Sequence, residues 1–267
     1  MSTCLVGSEM CIRDSLIAIS KAAGDAILEI YKLPFDPTIE KKADNSPLTI
    51  ADRASNEVIM KGLKKYYPNI PIISEENKLM SYEERKTWDC CWLVDPLDGT
   101  KEFIKKNGEF TVNIALIMNG KPVVGVIYVP VQDTYYFAKA GEGSYKQVGE
   151  NEATRIRVKD IDANEPVVIV ASRSHLNADT ENYINEQKAK YDTVELTSVG
   201  SSLKFCYVAE GKAHLYPRFA PTMEWDTGAA QAIVVEAGGK VTVQPEGVPL
   251  TYNRENLLNP YFLVEAV

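Results

Sequence analysis

A chain of 267 residues is enough for one large domain or two fused halves, at about 150 residues per domain. Its 37 acidic and 29 basic side chains leave a formal net charge of −8, which makes polymeric nucleic acid a poor partner. At 45% hydrophobic and 25% charged residues, the composition is that of a folded globular protein, and no apolar run approaches the ~20 residues that span a bilayer.

The opening stretch MSTCLVGSEMCIRDS has no basic segment followed by an apolar one, so it is not a signal peptide. It has neither helical nor strand periodicity. Residues 1–14 read as a translated adapter or gene-model extension, outside the fold. The five cysteines, at 4, 11, 90, 91 and 206, have neither zinc-site spacing nor the pattern of a secreted disulfide framework, which points to a reducing, cytoplasmic setting. From Leu16, apolar residues at Ile19, Ala23, Ile27, Ile30 and Tyr31 recur at three- and four-residue steps and predict an amphipathic helix ending before Pro34. A polar loop with Lys41, Asp44, Asn45, Ser46 and Pro47 follows, then a helix over about 50–66 closed by Pro68. Asp52 falls in its first turn, where a carboxylate also suits the helix dipole.

Ile70 to Ile73 and Cys91 to Val94 are short apolar runs that end in carboxylates, Glu75 and Glu76 in one case and Asp95 in the other. Strand-like runs follow at 110–118, 123–129 and 134–138. Asn119-Gly120 is a strong hairpin turn, so these predict an antiparallel meander. Beyond about residue 155 strands and helices alternate: strands at 167–171, 194–196, 213–216 and 240–243, helices at 179–190, 202–210 and 226–237. That divides the chain into an α+β half, 15–155, and an α/β half, 156–267. No Pro- or Gly-rich linker separates them, so an interface between the halves is expected.

Asp95-Pro96-Leu97-Asp98-Gly99-Thr100 places two carboxylates three residues apart just after a buried strand. Pro96 fixes one φ angle and Gly99 permits a tight path, so the loop can aim both carboxylates and a carbonyl at one point. Two like charges so close call for a cation, and oxygen-only ligands suit Mg²⁺. Asp52, Glu75, Glu76 and Asp226 also lie at element boundaries. Each has a structural alternative, such as an N-cap at Asp226, and the case for chemistry rests on their joint placement.

The segments WLVDPLDGTKEFIKKNGEFTVNIAL (92–116), ISEE (73–76), SRSH (172–175), GSSLKFC (200–206), YPRF (216–219) and EWDTGAA (224–230) resemble the inositol monophosphatase superfamily of metal-dependent, lithium-sensitive phosphatases. Within it the chain is most similar to the bacterial 3'(2'),5'-bisphosphate nucleotidases of the CysQ type. The resemblance implies a layered αβαβα fold of the α+β class, and Mg²⁺ ions, two or three per site. Glu75, Asp95 and the Leu97 carbonyl would hold one ion, and Asp95, Asp98 and Asp226 a second. Asp52 and Thr100, together with Glu75, would orient and deprotonate the attacking water, while Gly99 and Thr100 N–H groups face the phosphate. For the unreacted 5'-phosphate the candidates are Lys204 and Arg218, with Ser201, Ser202 and His175 as neutral donors. Leu97, Asp98 and Asp226 complete the substrate-contacting set. His214 is expected to be structural.

The implied activity is removal of the 3'-phosphate of adenosine 3',5'-bisphosphate, a by-product of sulfate assimilation, to leave AMP. Inositol monophosphatase activity, and a catalytically silent metal-binding regulatory role, stay open as alternatives. The implied partner is a small nucleotide. Monomer or homodimer, and peripheral association with a membrane, are left open.

Overall fold

The structure, a computed structural model, describes residues 11–34, 47–162, 164–171 and 177–266. Helix α1 (Ile12–Tyr31) buries the predicted stripe Leu16, Ile19, Ala23 and Ile27. It starts one turn earlier than the pattern suggested, because Ile12 prolongs that stripe by four residues and packs on the same core. Helix α2 (Pro47–Tyr66) lies beside it, and the Ser15 hydroxyl meets the Tyr67 hydroxyl at 2.5 Å. Both helices cover one face of a seven-stranded sheet whose order is β1 (Ile72–Ser74), β2 (Cys90–Asp98), β3 (Thr111–Met118), β4 (Lys121–Val129), β5 (Thr134–Lys139), β6 (Gly143–Val148) and β7 (Thr154–Ile156). β1 runs parallel to β2 and every other pair is antiparallel. The predicted hairpin turn is present, with φ of 49° at Asn119 and 73° at Gly120, both in the left-handed region that Asn and Gly tolerate.

Two short helices, α3 (Tyr82–Arg85) and α4 (Thr100–Ile104), flank β2 in the chain. The second sheet, in the order β11-β12-β10-β8-β9, is built from β8 (Val167–Ala171), β9 (Val194–Ser198), β10 (Leu215–Arg218), β11 (Lys240–Val243) and β12 (Phe262–Glu265). Only β8, β9 and β10 have the parallel pairing expected of an α/β half. The four-residue β12, absent from the predicted elements, inserts antiparallel to both β10 and β11 and makes the sheet mixed. Helix α5 (Ala178–Lys190) lies against its outer side.

Between the sheets lie α6 (Leu203–Ala209) and α7 (Glu224–Glu236), buried on nearly all sides, as expected of helices without a polar face. The order of layers is helix pair, sheet, helix pair, sheet, helix. One apolar cluster fills the middle, drawing on Cys91, Ala115 and Ile127 from the first sheet, Ile233 and Val234 from α7, and Phe262 and Val264 from the second. Helix and sheet backbones come close at Gly125 on β4, where an added Cβ would strike the Ala229 carbonyl oxygen and lie 2.9 Å from its Cα on α7. No described helix is long and apolar enough to cross a membrane.

Among the described residues, Cys11, Cys91 and Cys206 are free thiols. Adjacent Cys90 and Cys91 point to opposite faces of β2, into different clusters, as the alternation of a strand requires.

Candidate metal centre and active site

Three element ends meet at the edge of the first sheet. Glu75 follows β1, and its N–H donates to the Val94 carbonyl at 3.2 Å, which sets it beside Asp95 on the neighbouring strand. Asp226 is the third residue of α7, whose N-cap is Met223, so the helix begins before Asp226 rather than at it. Its Oδ2 accepts from the Met223 N–H at 2.8 Å. One carboxylate oxygen from each of Glu75, Asp95 and Asp226 lies within 4.8 Å of the other two.

A bulge makes the pairing of Asp95 with Asp98 work. In a regular strand, residues three apart face opposite sides. Here Asp95 pairs with Asn113 and Asp98 with Thr111, so three steps on β2 match two on β3 and the two aspartates share one side. Asp98 lines the same cavity but stands outside the close trio. Its Oδ2 accepts from the Ser202 N–H at 2.6 Å and lies 3.5 Å from the Asn113 amide nitrogen. The Leu97 N–H donates to Asp95 Oδ1 at 3.0 Å, and Ser55 Oγ donates to the Pro96 carbonyl at 2.8 Å, which fixes the loop. Gly99, at φ 102°, caps α4 in the left-handed region, and Thr100 opens that helix exposed to the cavity.

So many carboxylates in one place are not all comfortable as anions. Asp95, 2% exposed, has its carboxyl held well above the usual range by burial and by Asp98, Glu75 and Asp226. Burial and Asp98 push Asp226 up to about 8. Glu75 is raised by burial, Asp98 and Glu76. Asp52 does not line the cavity, yet it belongs to the same field: burial, Glu76 and Glu75 raise it to about 8. An oxygen-only donor set under mutual repulsion fits a hard divalent cation, whose charge would reverse these shifts.

The cavity, about 270 Å³, extends from these carboxylates to a wall of opposite character made by Ser201, Lys204, Tyr216 and Arg218. Lys204 is buried rather than on a solvated helix face. Its Nζ donates to the Ser201 carbonyl at 2.7 Å and lies 5.6 Å above the Tyr216 ring. Burial and Arg218 lower its pKa to about 8, against the pull of Asp98. Arg218 donates through Nη2 to the Pro221 carbonyl at 3.0 Å, while its Nε and the Ser201 Oγ are buried without a partner. Ser202 lines the cavity, but its hydroxyl donates to the Asn113 amide oxygen at 2.9 Å and lies 2.8 Å from the Thr111 hydroxyl, both on β3, so its one proton is spent tying the start of α6 to the first sheet rather than free for a phosphate. His175 lies outside the described residues. His214 is structural as expected, its Nδ1 accepting from the Val168 N–H at 2.9 Å.

Lys101, Glu102 and Thr222 also line the cavity and were not among the predicted site residues. The first two directly follow Thr100, so the loop motif was their signal; Thr222 comes from a segment with no pattern to read.

Residues 10–261 match the model of the inositol monophosphatase family. The chain is 48% identical over 252 residues to the 3'(2'),5'-bisphosphate nucleotidase CysQ of Escherichia coli (strain K12), an alignment covering 94% of this chain and 98% of that protein. The crystal structure of CysQ from Bacteroides thetaiotaomicron aligns with a TM-score of 0.86 at 51% identity, over 95% of this chain and 97% of that one. Inositol monophosphatase II from Staphylococcus aureus, at 24% identity and a TM-score of 0.77 over 96% of this chain and 89% of that one, shares the fold. On the layered architecture, the clustered carboxylates and these matches, the chain belongs to the inositol monophosphatase family.

Proposed function

We propose that the protein is a Mg²⁺-dependent 3'(2'),5'-bisphosphate nucleotidase that hydrolyses adenosine 3',5'-bisphosphate to AMP and phosphate. The observation that carries this reading is one cavity with two unlike ends: three carboxylates within 4.8 Å of one another at one end, and Ser201, Lys204 and Arg218 at the other. A single phosphate ester needs only the first end. A substrate with a second, unreacted phosphate uses both.

In this reading Glu75, Asp95, Asp98, Asp226 and the Leu97 carbonyl hold the Mg²⁺ ions. When bound, two or three such ions neutralise charge on the phosphoryl oxygens and make a nearby water acidic enough to attack. Asp52, whose carboxyl is raised to about 8 by burial, Glu76 and Glu75, would serve as the proton acceptor once bound cations lower it again and leave it ionised at neutral pH. The Thr100 hydroxyl can donate and accept at once, which suits it to hold the water in line. Gly99 and Thr100 N–H groups orient the phosphate, and Lys204 and Arg218 take the 5'-phosphate through charge-assisted hydrogen bonds.

Phosphate release from adenosine 3',5'-bisphosphate, inositol 1-phosphate and fructose 1,6-bisphosphate, with Mg²⁺ and with a chelator, tests the reading. The nucleotide is expected to be the fastest substrate, and chelation to abolish all turnover. Faster hydrolysis of the inositol ester would overturn the substrate assignment, and full activity in chelator would overturn the metal. Arg218→Ala should raise KM for the bisphosphate at least tenfold, the equivalent of about 1.5–3 kcal/mol for a hydrogen bond to a charged group. It should leave inositol 1-phosphate hydrolysis unchanged, and equal losses on both substrates would remove Arg218 from the specificity argument.

A cytoplasmic setting, a monomeric or homodimeric assembly and a role in clearing a by-product of sulfate assimilation belong to the same proposal. The exclusion expected for residues 1–14 is narrowed by α1, whose first turn includes Ile12 packed on the core, and the proposal keeps it for 1–10 alone. A chain beginning at Cys11 should fold and turn over normally, and loss of either would refute that exclusion.

A further inference from the structure

The segment Val199–Ser202, between β9 and α6, carries much of the cationic wall. It supplies the unpartnered Ser201 hydroxyl, and its Val199 and Ser201 carbonyls hold Lys204 Nζ at 3.4 and 2.7 Å. Yet Ser201 has φ of 47°, a left-handed conformation that is costly for a residue with a side chain and persists only where the surroundings enforce it. Two carboxylates reach across from the first sheet to enforce it. Asp98 takes the Ser202 N–H, and Glu109, just before β3, takes the Gly200 N–H on Oε2 at 2.8 Å. The fit at Gly200 is tight: an added Cβ would lie 2.7 Å from Glu102 Cδ and 3.0 Å from the Glu109 carbonyl oxygen. The strained serine is therefore pinned on both sides, once by a proposed metal ligand and once by a residue that does not line the cavity.

We propose that Glu109 is a positioning residue for substrate selection: by holding the Gly200 amide it keeps Ser201 and Lys204 aimed at the second phosphate. This rests on the bisphosphate reading and extends it to a residue remote from the reacting phosphorus. Because Asp98 secures the other end of the segment from the metal side, loss of Glu109 should loosen the recognition of the distal phosphate and spare the hydrolytic step.

The test compares kcat and KM for adenosine 3',5'-bisphosphate and for adenosine 3'-phosphate, which lacks the distal group, in the wild type, Glu109→Ala and Glu109→Gln. Glu109→Ala should raise KM for the bisphosphate about tenfold, as expected for losing a charge-assisted hydrogen bond. Its kcat should stay within about twofold, and adenosine 3'-phosphate should be hydrolysed as by the wild type. Glu109→Gln should restore KM, since its amide oxygen can accept the same N–H. Parallel losses on both substrates, an unchanged KM, or failure of Gln to rescue would each overturn the proposal. If Glu109→Ala does not fold, Glu109→Asp, whose shorter side chain cannot reach the amide, takes its place with the same expected KM change. A wild type that does not favour the bisphosphate over the 3'-monophosphate would instead defeat the underlying substrate reading, a distinguishable result.

Discussion

Asp95→Asn should lower turnover about a thousandfold or more, since each tenfold is 1.36 kcal/mol of barrier and the lost interaction is worth several kcal/mol. Asp95 is the most buried of the trio, almost wholly out of solvent, and in the proposed arrangement is shared between two ions. The same substitution should not weaken the metal-free fold. A carboxyl whose pKa is raised on folding contributes stability below its unfolded value near 4, and that contribution is lost as pH climbs through the folded value. At neutral pH Asp95 is on the losing side of that balance, held up by burial and three neighbouring carboxylates. An amide of the same shape carries no such penalty. In chelator at pH 7.5 the variant should therefore melt at or above the wild-type temperature, and the gain in melting temperature that Mg²⁺ gives the wild type should shrink. Unchanged turnover, or a metal-free variant that melts lower, would contradict this account.

Gly125→Ala is expected to be the most damaging small change in the core. The new methyl would be driven into the backbone of α7 at Ala229, which cannot give way as a side-chain end can. Overpacking of this kind costs about 3 kcal/mol, which for a chain of this size lowers the melting temperature by roughly 6–12 °C. The injury should reach the chemistry too. Asp226 is one helical turn before Ala229, so a helix pushed off the sheet takes a proposed ion ligand with it. A thermal melt and a Mg²⁺ titration of turnover check both halves, and an unaltered melting temperature would show that α7 has more room than its contacts indicate.

The site was legible in outline because its carboxylates cluster at the ends of apolar runs, where short-range patterns are strong. What the pattern could not carry was the bulge. Asp95 and Asp98 read as three residues apart, and only the offset register against Asn113 and Thr111 shows why they share a side. Strand β6 escaped for a different reason: Gly143–Val148 lacks apolar alternation. Charged residues used as internal fasteners were also invisible. Arg85, 3% exposed, donates to the carbonyls of Met80, Arg254 and Glu255, and Glu224, fully buried, accepts from the Asn253 and Arg254 N–H groups. Periodicity assigns such residues to the surface because it cannot see a backbone partner 30 or 170 positions away. The partners of the Ser202 hydroxyl were equally invisible: its residue type suits a ligand, but its proton goes to Asn113 on β3, 89 positions away.

Asp98 has one oxygen on the amide of Ser202 and belongs to the group proposed to hold the ions. A single carboxylate thus connects the end of the cavity that attracts cations to the end that attracts the nucleotide's distal anion. Occupancy of the two ends is then coupled through one side chain, and such coupling has no preferred direction. Whatever factor the ions add to nucleotide affinity, the nucleotide must return to ion affinity. Scarcity of either in the cell would therefore register as weaker capture of the other.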